Sequence, residues 1–112
     1  MTRIIINSEP GKYDITIDGH AEKVNEGEGN ILCAAISMIS QTFLQCMMDE
    51  EEKGRVKCKH IEKSGYLRVI CEYKRTNRCI KGQIIMLETG LLMLKQKYEK
   101  NIDMVGENKI KT

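Results

Sequence analysis

Val56-Lys57-Cys58-Lys59-His60-Ile61-Glu62-Lys63-Ser64-Gly65-Tyr66-Leu67-Arg68-Val69-Ile70-Cys71-Glu72-Tyr73 reads as two strands joined by a turn. Val56, Cys58 and His60 alternate with Lys57 and Lys59, Ser64-Gly65 turns the chain, and Leu67, Val69, Cys71 and Tyr73 alternate with Arg68, Ile70 and Glu72. Successive strand side chains point to opposite faces, so this hairpin carries one apolar face that needs a cover. A helix on each side in the sequence supplies one. Before the hairpin, Leu32, Ile36, Ile39, Phe43, Cys46 and Met47 recur at steps of three and four, predicting a helix that begins at Asn30 and closes over Asp49 to Glu52 with Gly54. Its other edge, Cys33, Ser37 and Ser40, is small and polar. After the hairpin, Thr76 or Asn77 can cap a second helix with apolar positions Ile80, Ile84, Leu87, Leu91, Leu94 and Tyr98. Ile85 and Leu92 widen that stripe enough for the helix to cover the sheet with one side and a partner subunit with the other.

The same order stands further upstream. Arg3 to Asn7 is a short β-branched run, Pro10-Gly11 is a turn signal, and Tyr13, Ile15 and Ile17 alternate with Lys12, Asp14, Thr16 and Asp18. The chain therefore predicts an α+β fold of order ββαββα, an antiparallel sheet with two helices. Ile102 to Val105 adds a short edge strand, and residues 106–112 are polar enough to fray. At 112 residues and 12.8 kDa the chain is one domain, residues 1–112, too short for two independent cores.

Composition removes several function classes. Eighteen basic against sixteen acidic residues leave a formal charge of +2, too small and too mixed to grip a phosphate backbone. One Phe, four Tyr and no Trp offer few platforms for stacking bases, so nucleic acid is not an expected partner. With 41% hydrophobic and 30% charged residues, no membrane span is expected. The five cysteines cannot all pair within the chain, and the first residues lack the apolar stretch of a secretory signal, which predicts reduced thiols and a cytoplasmic protein. There is no CxxC pair; Cys58 and His60 on one strand face would have to recruit Cys71 or Cys79 to hold a metal, and neither metal nor cofactor is expected.

The chemistry gathers between residues 19 and 37. Gly19-His20-Ala21 ends a predicted strand; Asn25 to Gly29 has two glycines and no apolar residue; and Asn30-Ile31-Leu32-Cys33 opens the first helix. With Asn30 as N-cap, Cys33 is the third helical residue, where unpaired N–H groups and the positive end of the helix dipole favour an anion. A thiol with pKa near 8.5 is only about 3% ionised at pH 7, and a helix start or a nearby imidazolium raises that fraction. Cys46, Cys58 and Cys71 read as packing residues, and Cys79 beside Arg78 is the one other thiol open to mild activation.

Gly19-His20-Ala21, a loop, and then Cys33-Ala34-Ala35-x-Ser37 at a helix start resemble the signature of the ribosomal-processing cysteine protease family, Prp. The element order and length are similar over nearly the whole chain. The resemblance implies a homodimeric α+β fold with a Cys/His dyad. Its implied partner is the N-terminal extension of a ribosomal protein precursor, large-subunit protein twenty-seven in the family, or a similar peptide. Residue by residue, His20 matches the family histidine, Cys33 the nucleophile and Ser37 the serine one turn on, with Gly19, Asn30 and Ala34 supporting the site. The family usually has an acidic residue three positions before its cysteine, where this chain has Asn30. The implied mechanism has Cys33 attacking the scissile carbonyl, N–H groups near Cys33 and Ala34 stabilising the oxyanion, and His20 handling protons. Asn25, Gly27 and Gly29 belong to a lid that orders over the peptide. Two other classes fit the residues: a catalytically idle dimer that binds a peptide or a ribosomal protein in the same groove, and a thiol-transfer protein using Cys33 alone.

Overall fold

The structure is a computed structural model that describes residues 1–19 and 28–106. Its elements are β1 (Thr2–Glu9), β2 (Lys12–Asp18), α1 (Glu28–Glu52), β3 (Val56–Lys63), β4 (Tyr66–Tyr73), α2 (Arg78–Lys97) and β5 (Ile102–Val105). Both hairpins turn where the sequence places them, so Glu9 pairs with Lys12 around Pro10-Gly11 and Lys63 with Tyr66 around Ser64-Gly65. The five strands form one sheet in the order β3-β4-β2-β1-β5. Helix α1 carries the chain from β2 to β3 at one edge, and α2 carries it from β4 across to β5 at the other.

The predicted ββαββα order stands, and the sheet is antiparallel everywhere except at β5, which runs parallel to β1. The cause is topological. A strand reached through a crossover helix runs in the direction of the strand that fed it. β4 and β1 already run the same way, so β5 arrives parallel to its neighbour.

One face of the sheet is covered. Ile4, Ile6, Tyr13, Ile15, Ile17, Leu67, Val69 and Cys71 all project to it and form a single core with Leu32, Ile36 and Phe43 of α1 and Ile80, Ile84, Leu87 and Leu91 of α2. The rings of Tyr13 and Phe43 meet edge to face at 6.1 Å. Helix packing needs one bare position: a β-carbon at Gly90 of α2 would overlap Ile39 Cδ1 of α1, so glycine lets the helices approach there. On the opposite face, Arg68 forks onto Asp14, its Nε and a terminal nitrogen donating to the two carboxylate oxygens at 3.1 and 2.8 Å. Asn77 caps α2 as predicted, its side-chain oxygen accepting the Ile80 N–H at 3.1 Å.

Residues Ile31–Glu52 of α1 have a mean hydropathy of 1.6 and enough length to cross a bilayer. In this fold their inner stripe is core. The outer stripe leaves Ile31, Met38 and Met48 exposed.

Candidate active site

Helix α1, the end of β2 and the β3–β4 turn enclose a cleft of roughly 260 Å³. Cys33, Ser37, Ser40 and Gln41 line it at steps of four, three and one, the spacing that stacks side chains on one helix face. The small, polar edge seen in the sequence is therefore the wall of a cavity. Ser40 is buried, its hydroxyl donating to Ile36 O at 2.7 Å, so it shapes the wall. Cys33 is half-buried, within reach of the cleft and of solvent.

Gly19 lines the cleft from the end of β2. Its φ of +98° lies in the left-handed region, its N–H donates to Gly65 O at 2.8 Å, and a β-carbon there would stand 2.5 Å from the Met1 carbonyl oxygen. Backbone geometry and space both demand glycine. Gly19→Ala is expected to lower stability by about 1–3 kcal/mol, seen as a lower urea midpoint with an unchanged slope. An unchanged midpoint would show that the strand end relaxes freely.

The far wall comes from residues that the sequence does not mark as part of a site: Glu62, Lys63, Tyr66 and Leu67, around the second hairpin turn. Gln41 donates to Glu62 Oε1 at 2.7 Å, tying α1 to β3 beside the cleft. The flanks of Ser64-Gly65 are readable as a turn, but nothing local in the sequence says that this turn faces Cys33. Asp18 is exposed, in keeping with a solvated carboxylate.

The helix start differs from the expectation. α1 begins at Glu28, which makes Asn30 its third residue rather than its cap, puts Gly29 in its first turn rather than in a lid, and makes Cys33 its sixth residue. Glycine costs only about 1 kcal/mol in a helix, so Gly29 weakens the ladder without stopping it. The consequence is chemical. In a helix starting at 28, the N–H groups of Cys33 and Ala34 bond to carbonyls in the preceding turn, and the helix-end field has decayed by that depth. Cys33 thus stands inside the helix rather than in its first turn. His20, Ala21, Asn25 and Gly27 lie outside the described residues, as does the predicted tail from 107 onward.

Outside the cleft, His60 is exposed, and among the described residues no group of three or more His, Cys, Asp or Glu side chains is close enough to hold a metal ion. Cys79 is exposed and accepts a contact from Gln83 Nε2 at 3.4 Å.

Compared with known proteins, residues 1–103 match the family model described as cysteine protease Prp. The chain belongs to the Prp cysteine protease family. Among solved structures, the essential ribosomal processing protease Prp from S. aureus in complex with a substrate peptide is similar at TM-score 0.75 and 17% identity, over 95% of this chain and 100% of that one. The same S. aureus protease with a covalently linked product peptide is similar at TM-score 0.71 and 19% identity, with the same coverage of both chains. SMU.848 from Streptococcus mutans follows at 0.67 and 16%, over 94% of this chain and 93% of that one. No curated protein matches the sequence.

Proposed function

We propose that this Prp-family chain is a processing endopeptidase that removes an N-terminal extension from a ribosomal protein precursor, using Cys33 as nucleophile and His20 as proton carrier. The observation that carries the reading is the half-buried Cys33 on the wall of a cleft that Gly19, the residue before His20, also lines. The Cys33 thiolate attacks the scissile carbonyl carbon, and His20 protonates the departing amine. Water, deprotonated by His20, then hydrolyses the thioester and returns the thiolate. The cleft's polar wall, Ser37, Gln41 and Glu62, positions the peptide backbone.

The proposal includes a twofold dimer in a reducing cytoplasm, supported by an apolar groove of about 430 Å³ between α1 and α2, lined by Ile39, Phe43, Cys46, Met86 and Met93. Met86, Met38 and Met93 are 77%, 70% and 65% exposed, and a small soluble domain rarely leaves so much apolar surface without a partner. Sedimentation at micromolar concentration is expected to show a species of twice 12.8 kDa. A purely monomeric boundary would remove the dimer from the reading and leave the peptidase intact.

The direct test incubates the protein with ribosomal protein precursors carrying N-terminal extensions and reads the products by mass spectrometry. A single cut that leaves the mature N-terminus is expected. Precursors that stay whole with wild-type protein, while a known protease cuts them, would overturn the reading.

A further inference from the structure

Cys58 of β3 and Cys71 of β4 are direct cross-strand partners, and their sulfurs lie 3.5 Å apart. The Cys58 N–H points away from β4, donating to Glu51 Oε1 of α1 at 3.2 Å. The two residues therefore form a non-hydrogen-bonded pair, the kind in which antiparallel Cα atoms come closest, at about 4.5 Å. That spacing lies inside the range a disulfide spans, and both side chains already point to the same face. Access is unequal. Cys58 is half-buried and Cys71 is fully buried, 0% exposed.

We propose that Cys58 and Cys71 form a reversible oxidation site, separate from the protease cleft, that takes a small hydroperoxide and closes to a cross-strand disulfide. The hydrogen bond from the Cys71 thiol holds Cys58 below the ordinary thiol range, and the same contact, with burial, pushes Cys71 far above it. The roles follow from this asymmetry. The Cys58 thiolate attacks the terminal peroxide oxygen; an S–O bond forms, the O–O bond breaks, and the alkoxide or hydroxide leaves and takes a proton from water. Cys58 is oxidised by two electrons to the sulfenic acid, and the peroxide is reduced. Loss of the Cys58 charge removes the main influence that kept Cys71 protonated. The Cys71 sulfur then attacks Cys58 Sγ, the S–O bond breaks, and the Cys71 proton leaves with the hydroxyl as water. A dithiol reductant reverses the closure by exchange.

The site does not depend on the peptidase reading, because neither cysteine lines the cleft. Wild-type protein treated with one equivalent of hydrogen peroxide is expected to lose about 2 Da, to show a 58–71 link in a non-reducing peptide map, and to regain its mass with dithiothreitol. Cys33 oxidation appears on its own peptide and is counted apart. In Cys71→Ser the closure is blocked, and dimedone should label Cys58 as the trapped sulfenic acid. Oxidation that falls on Cys46 or Cys79 with no 58–71 link, or Cys58 gaining oxygen in the wild type while Cys71 remains a thiol, would overturn the proposal. The wild-type map stands whether or not the buried Cys71→Ser substitution folds.

Discussion

Alanine at Cys33 is expected to abolish precursor cleavage, with turnover falling by at least about 10⁴-fold, while peptide binding changes little. In the proposed mechanism the thiol supplies the bond-forming electrons, and no neighbouring cleft side chain can replace it. Ser37 lies one turn away on the same wall, but an unactivated hydroxyl is a far weaker nucleophile at neutral pH. The comparison should include His20→Ala, for which a loss of roughly 10²–10⁴ is expected if it carries protons. Single-turnover cleavage with a binding measurement on the same variants separates the outcomes. Cleavage that survives Cys33→Ala would remove the cysteine mechanism from this chain. Loss of binding together with turnover would make Cys33 a wall residue.

The largest expected effect on stability comes from Phe43→Ala, about 3–5 kcal/mol. Phe43 is buried between α1 and the sheet, with its ring edge to face against Tyr13. Truncation removes both the buried area and the aromatic contact, and Tyr13, fully enclosed on a central strand, cannot swing over to refill the space. A domain of this size has about 5–15 kcal/mol in all, so the variant should be largely unfolded at low urea. A urea midpoint within experimental error of wild type would mean that the groove between the helices collapses onto the cavity.

How much of the molecule is legible in the sequence follows the range over which the information acts. Two-residue turns set both hairpin registers, and period-two alternation alone marks the buried face of β2 and β4. The Cys58–Cys71 pairing is readable in the same way, by counting outward from Ser64-Gly65, but each cysteine taken alone looks like packing. Strand order is not readable, because β2 meets β4 and β1 meets β5 only after helical crossovers. The start of α1 is misread because Asn30 is a good cap type with glycines just ahead of it, whereas the backbone ladder runs through Gly29. At the site, helical spacing puts Cys33, Ser37 and Gln41 on one wall, while Glu62 and Tyr66 enter the cleft through contacts that no local pattern encodes.

The parallel pairing of β1 with β5 sets a timetable for synthesis. Thr2 meets Ile102, so the first strand waits for a partner made one hundred residues later. At roughly 5–20 residues per second that delay is on the order of 5–20 s, far longer than hairpin formation. β1 can pair with β2 early, but its other edge stays open until the last strand leaves the ribosome. The nascent chain therefore carries an unsatisfied strand edge until Ile102 to Val105 emerge, and premature termination before Ile102 would release a product with that edge exposed.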